Sequence, residues 1–383
     1  MSDKVVVFDT TLRDGEQAAG VCFSAQDKIE IASRLAAMRV DVIEAGFPGA
    51  SPAEAEAVAA VAREVRDASI CGLARAVATD VDAAGAALGR ARNPRIHVFV
   101  GSSDIHLAHQ LRRNRRDVIA MAGAAVRRAR RYTDDVEFSP MDATRADGKF
   151  VADIVRVALA AGARTINFPD TIGTVLPDRL RVQIAELFER VPELEAAVLS
   201  FHGQDDLGLA TANAIAAVGA GARQVELAVN GIGERAGNTS FEEVVMALHV
   251  HGETLGVHTD VDTTGICAVS RCVAERSGIA VPPNKAIVGG NAFRHASGIH
   301  QDGVIKWREN YEGIDPESIG HPRGTEIVLG KLSGRAGFAQ RVRALGFELP
   351  EEAMACAFER FQIVANDKRE VVDEELRSIC AEL

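Results

Sequence analysis

Two residues of this chain have the right type and setting to hold a divalent metal ion: Asp14, closing "VVVFDTTLRD", and His202, closing "AVLSFH". An ion that works on a substrate needs about three protein ligands and open positions, often a carboxylate with imidazoles. Gln204 shares a side with His202, because side chains of an extended segment repeat every two residues. Asn238 closes the glycine-rich stretch "NGIGERAGN". Asp14, His202, Gln204 and Asn238 are therefore the candidate metal set. From spacing alone, His-x-Gln reads as well for a hydrogen-bonding histidine after a buried strand as for a ligand pair.

Residues so far apart meet only if the elements between them repeat. Short β-branched runs predict strands at 5–11, 41–47, 69–75, 96–102, 135–140, 165–170, 197–203 and 224–231. Ala-rich amphipathic segments between them predict helices near 26–38, 52–65, 80–91, 117–131, 150–161, 178–191, 209–219 and 240–251. Several open on Ser or Pro, as helix N-termini do. Eight such pairs predict an α/β fold, a (β/α)8 TIM barrel over residues 1–257, followed by a linker and a smaller, mainly helical region over 258–383. An open doubly wound sheet is the alternative, but its dinucleotide fingerprint is missing from the first turn, "DTTLRDGEQ". The polar residues gather at the strand ends, among them Arg13, Asp14, Glu44, His97, Ser139, Thr171 and His202, where a barrel keeps its chemistry.

Composition narrows the classes. A formal net charge of -11 argues against a nucleic-acid-coating or membrane-surface protein. The basic runs "LRRNRR" and "RRARRY" then read as a solvated helical face. Six scattered cysteines without a C-x-x-C pair suit reduced thiols in the cytoplasm. No apolar run approaches the roughly 18–20 residues of a membrane span.

The segments "FDTTLRDGEQAAG", "VIEAGFP", "VEFSPMDATRAD", "INFPDTIG", "DDLGLATAN", "NGIGERAGN" and "NAFRHASGIHQDG" together resemble the 2-isopropylmalate synthase and homocitrate synthase family, over residues 4–345. These are metal-dependent barrel enzymes that join acetyl-CoA to a 2-oxo acid by Claisen condensation. The resemblance implies that Asp14, His202 and position 204 hold the metal with Asn238 beside it, and that Arg13 stabilises the oxyanion. It implies that His97, Ser139, Met141 and Thr171 line the 2-oxo acid. His300, and more weakly Tyr311, would assist acid–base chemistry across a homodimer.

This chain departs from that pattern where the family reads H-x-H-N-D and the chain reads His202-Gly203-Gln204-Asp205-Asp206. Gln204, or Asp205 turned inward, would favour magnesium or manganese over zinc. Met141, Ala296 and Leu332 stand where the family has glutamate, glutamate and histidine, and Arg294 where it has a small residue. Glu137 stands where homocitrate synthases carry an arginine for the distal carboxylate of 2-oxoglutarate. The expectation is a specialised acyltransferase acting on a non-standard 2-oxo acid such as phosphonopyruvate, without a leucine-regulatory domain. Two alternatives remain at this level: a non-catalytic barrel that binds an oxo acid, and a lyase or aldolase of the same superfamily.

Overall fold

The computed structural model describes residues 2–382. By contacts the chain divides into two compact units, Met1–Ala280 and Val281–Leu383. The first is a closed parallel barrel rather than an open sheet. Its strands are β1 (Val6–Asp9), β2 (Val42–Gly46), β3 (Ser69–Arg75), β4 (Pro94–Gly101), β5 (Asp135–Met141), β6 (Thr165–Asp170), β7 (Val198–Gly203) and β8 (Gln224–Leu227). Closure runs through β1 and β8, with Val6 opposite Gln224 and Asp9 opposite Leu227.

Each strand is followed by a helix: α1 (Ala25–Ala37), α2 (Pro52–Glu64), α3 (Ala78–Ala87), α4 (Arg115–Ala129), α5 (Gly148–Ala160), α6 (Pro177–Arg190), α7 (Ala210–Gly219) and α8 (Phe241–Leu255). Side-chain caps set several of their starts. Ser24 and Asp27 form a reciprocal capping box at α1, and Ser51, Asn114 and Asp147 each accept from the third residue beyond them.

The strands alternate between two environments. Val7, Ile43, Ile70, Val98, Phe138, Ile166, Phe201 and Val225 are fully buried and form the apolar set that the surrounding helices cover. The other face of the later strands carries Arg95, His97, Glu137, Ser139, Asn167, Ser200, His202, Gln224 and Glu226, all nearly solvent-free. Barrel interiors usually hold branched aliphatic side chains. Here Phe8, Val42 and Cys71 supply a small apolar cluster, and the rest of the lumen is a hydrogen-bonded polar network.

The first unit extends past the predicted boundary at 257. A helix at Ile266–Ser277, α9, returns to the barrel: Arg276 bridges Glu30 at 2.7 Å, and Asn230 donates to the Ser270 carbonyl. The predicted eighth strand, 224–231, ends at Leu227 because Val229–Gly231 turns over through a left-handed Asn230. In the second unit, helices α10 (Gly298–Lys306), α11 (Arg335–Ala344), α12 (Glu351–Ala365) and α13 (Asp373–Ala381) follow one another. Its core is built on Phe338, Phe358 and Phe361. Among the described residues no helix is long and apolar enough to cross a membrane.

Candidate active site

The glycine-rich stretch after β8 is a structural clasp. Its end runs back along β7, so that Gln204 and Asn238 form an isolated antiparallel bridge and Thr239 donates its backbone N–H to Gly203. A side chain at Gly233 would collide with the Asn238 amide, and one at Gly237 with the Gly231 carbonyl. These glycines let Asn238 lie against Asp14. On the other side, Asp14 follows β1 in a tight turn whose Thr10 carbonyl accepts from both Arg13 and Gly15. Residues 224 positions apart, Asp14 and Asn238, are thereby joined by a 2.9 Å hydrogen bond.

Four side chains converge there. His202 Nδ1 lies 2.8 Å from Glu226 Oε2, and in the neutral tautomer that donates there Nε2 is an acceptor. Asn238 donates through Nδ2 to Asp14 and to the Ile232 carbonyl, so its Oδ1 points inward as an acceptor. Gln204 Nε2 lies 3.0 Å from His202 Nε2, 3.0 Å from Asn238 Oδ1 and 3.4 Å from both Asp14 oxygens. Its other end, Oε1, is buried and has no hydrogen-bond partner. A carboxylate, a ring nitrogen and an amide oxygen thus turn acceptor atoms to one place, and the unpartnered Gln204 oxygen needs only a half-turn of its amide to join them. That donor set fits an oxygen-preferring divalent cation.

Arg13 ties this group to the layer beneath. Its Nε donates to Glu44 Oε2 at 2.6 Å and its Nη1 to Asp14 Oδ2 at 2.7 Å. Burial opposes all three charges, but the pairing holds Asp14 and Glu44 below the usual carboxylate range and keeps Arg13 charged. His97 sits deeper, with Nδ1 at 2.9 Å from Glu44 and Nε2 at 2.6 Å from Ser139 Oγ. Burial works against its charge, yet the Glu44 hydrogen bond and the field of Glu226 carry its pKa up to about 9. Burial likewise opposes charge on His202, while Glu226 and Asp14 raise its pKa. Ser139 Oγ also accepts from Asn167 at 2.8 Å. With both lone pairs engaged by a charged His97 and Asn167, its own proton is free to be donated.

Thr171, after β6, accepts through Oγ1 from the Asp142 backbone, and Met141 ends β5 half-buried. The two carboxylates after Gln204 have separate work. Asp205 accepts from the first backbone N–H of α7, and Asp206 forms a two-pronged pair with Arg235. Glu137 lies inside the barrel, held by Arg95 and Gln224, below the strand ends. In the second unit, His300 stacks on Tyr311 with ring centroids 4.0 Å apart, and Arg294 is paired with Glu326 and Glu370. The first basic run near α4 is largely exposed and the second partly so, with Arg115 paired to Asp104 and Arg128 to Asp82.

Glu226 was not among the sequence candidates, and Glu44 stood among them only as a strand-end polar residue without a role. Glu44 orients Arg13 and His97, and Glu226 orients His202. Their signal is a lone carboxylate inside a β-branched run, "DVIEAGF" and "QVELAV", which marks an inward-facing polar position.

A closed barrel with a carboxylate, an imidazole, two amides and an arginine at the ends of its strands defines a class. Residues 4–273 match the HMGL-like family, and residues 287–369 match the homocitrate synthase post-HMGL domain-like family. The hydroxymethylglutaryl-CoA lyase of Pseudomonas aeruginosa shares the fold, with a TM-score of 0.62 at 24% identity over 73% of this chain and 95% of that one. The 2-isopropylmalate synthase of Nitrosococcus oceani is 51% identical over 380 residues, covering 99% of this chain and 74% of that protein. That of Pyrococcus abyssi is 49% identical over 379 residues, covering 99% and 78%. This chain belongs to the 2-isopropylmalate synthase family of HMGL-like barrel enzymes.

Proposed function

We propose that this enzyme is an acyltransferase that condenses acetyl-CoA with a 2-oxo acid, giving a 2-substituted malate and free CoA. The observation that carries this reading is the convergence of Arg13, Asp14, His202, Gln204 and Asn238 at the strand ends of the barrel. Asp14, His202, Asn238 and the turned Gln204 oxygen would hold a divalent cation, magnesium, manganese or zinc. Such an ion polarises the carbonyl of a 2-oxo acid toward attack.

The chain's own groups supply the rest. Arg13 spends Nε and Nη1 on Glu44 and Asp14. Its remaining N–H groups are placed to meet negative charge growing on the keto oxygen. Ser139 can donate its free proton to the substrate carboxylate, with His97 and Asn167 fixing the hydroxyl. Thr171 and Met141 form the adjoining wall. A base takes a proton from the acetyl methyl group, the new carbon–carbon bond forms, the keto oxygen gains a proton, and water cleaves the thioester. His300 and Tyr311, contributed within a homodimer, are our candidates for the acid–base steps.

Met141, uncharged where the family carries a glutamate, supports a non-standard 2-oxo acid, phosphonopyruvate among them. The six free cysteines suit work in the reducing cytoplasm. The test is CoA release from acetyl-CoA with a panel of 2-oxo acids, 3-methyl-2-oxobutanoate, phosphonopyruvate and 2-oxoglutarate included, each with and without magnesium, manganese or zinc. Release with one acid and dependence on a cation support the reading. No release from any acid under any metal condition would overturn it.

A further inference from the structure

The acceptors around Gln204 do not wait for an ion. Asn238 Oδ1 is fixed as an acceptor by the two donor bonds of its own amide, Asp14 turns both carboxylate oxygens to the same place, and His202 Nε2 joins them in the tautomer that gives its Nδ1 proton to Glu226. Three acceptors aimed at one point repel one another unless something positive or hydrogen-bearing stands there. The Gln204 amide nitrogen does, within 3.0–3.4 Å of all three residues. Its protons are the partial positive charge of the cluster. The other end of the same amide is left buried and unpaired, an unfavourable position that the contacts of the nitrogen must offset. Turning the amide over without a cation would set its oxygen against the Asn238 and Asp14 oxygens.

We propose that the Gln204 amide nitrogen is a built-in stand-in for the cation, which keeps the pocket satisfied in the metal-free protein and is displaced only when the amide turns its oxygen to an arriving ion. An amide exchanges donor for acceptor by one rotation, with no proton gained or lost, whereas imidazole must exchange a proton to do so. Two consequences follow. The fold around Asp14 does not need metal, and ion binding is weakened by the hydrogen bonds it must break. The second consequence rests on the metal-binding role given to these residues above; the first does not.

The experiment uses the full-length protein and three chains: wild type, Gln204→Glu and Gln204→Leu. Glutamate has the same reach but offers only oxygens when ionised, and leucine removes both ends. Thermal unfolding is followed in chelator and then with manganese alone at slightly alkaline pH, and manganese binding is read by its EPR signal. The expected result is a wild-type Tm unchanged by chelator and a Gln204→Glu Tm several degrees lower in chelator. Manganese should restore the glutamate variant and bind it at least tenfold more tightly than wild type. Gln204→Leu should be destabilised in chelator and should not be rescued. A wild-type Tm that falls in chelator as far as that of Gln204→Glu would overturn the stand-in, as would equal manganese affinity in the two. If neither wild type nor Gln204→Glu binds manganese while Gln204→Glu and Gln204→Leu are still destabilised in chelator, the amide's part in satisfying the pocket holds, and its displacement by an ion fails together with the metal reading of the site.

Discussion

Arg13 grips two carboxylates at once, Glu44 through Nε and Asp14 through Nη1, and the planar fork of the guanidinium is what permits it. Lysine offers one compact charge on a flexible stem and cannot place two separate N–H groups in that fixed fork. Arg13→Lys should therefore lower kcat by about 10²–10³-fold with a smaller change in KM for the 2-oxo acid, measured by CoA release. His97 gives a second prediction. Its folded pKa of about 9 lies above the ordinary 6.5, so the folded protein holds that proton more tightly than the unfolded chain. This contribution, on the order of 3 kcal/mol, is complete below pH 6.5 and lost as pH rises through about 9. Burial also lifts Asp9 and Glu137, to about 7, and His202 and the buried thiols are shifted upward as well, so the histidine is read from the difference between two chains. Urea unfolding from pH 7.5 to 9.5 should show stability falling less steeply in His97→Gln than in wild type; parallel slopes would contradict the assignment.

At the scale of elements, the loops after the strands hold the site by packing on one another's backbone. Gly173, after β6, has φ of +64°, and a Cβ there would lie 2.6 Å from the Gln204 carbonyl and 2.7 Å from the Asp206 nitrogen. Neither neighbour is a flexible side-chain end, so Gly173→Ala must push the β7 loop away. A loss of about 1–3 kcal/mol is expected, with kcat reduced more than Tm alone would suggest. Calorimetry and CoA-release kinetics on the same preparation would check this, and an unchanged kcat would mean that the Gln204 position tolerates displacement. The β-branched runs and the Ser and Pro helix starts made the eight strands and helices legible within a few residues, because local periodicity and capping fix them. The short β8 was not legible: "AVNG" continues the apolar run, and only the clasp to β7 and the Asn230–Ser270 contacts turn the backbone out of the sheet.

For the whole molecule, the candidate groups divide between two units, with Arg13 to Asn238 in Met1–Ala280 and His300 and Tyr311 in Val281–Leu383. If the acid–base pair serves a partner's barrel, two inactive chains should complement each other. Mixing His300→Ala with Arg13→Lys protein, after dissociation and reassembly, should restore up to about a quarter of wild-type activity, since half the dimers are mixed and each carries one intact site. Mixtures no more active than their parents would place His300 in its own chain's site or in none. Light scattering of the wild type should first show a particle of two chains.

By itself the sequence determined the barrel, because period-two and helical patterns are local, and it singled out Asp14, His202, Gln204 and Asn238 as one group, because the strand ends of a closed barrel share a face. It could not assign Asp205 and Asp206 to a helix start and an ion pair, Glu226 to the site, or Glu44 to Arg13 and His97, since those roles depend on which side chain lies opposite across strands far apart in the chain. Least of all could it say which end of the Gln204 amide faces inward. That was decided by the tertiary network, where Glu226 fixes His202, Asp14 and Ile232 fix Asn238, and three acceptors leave one place for a donor.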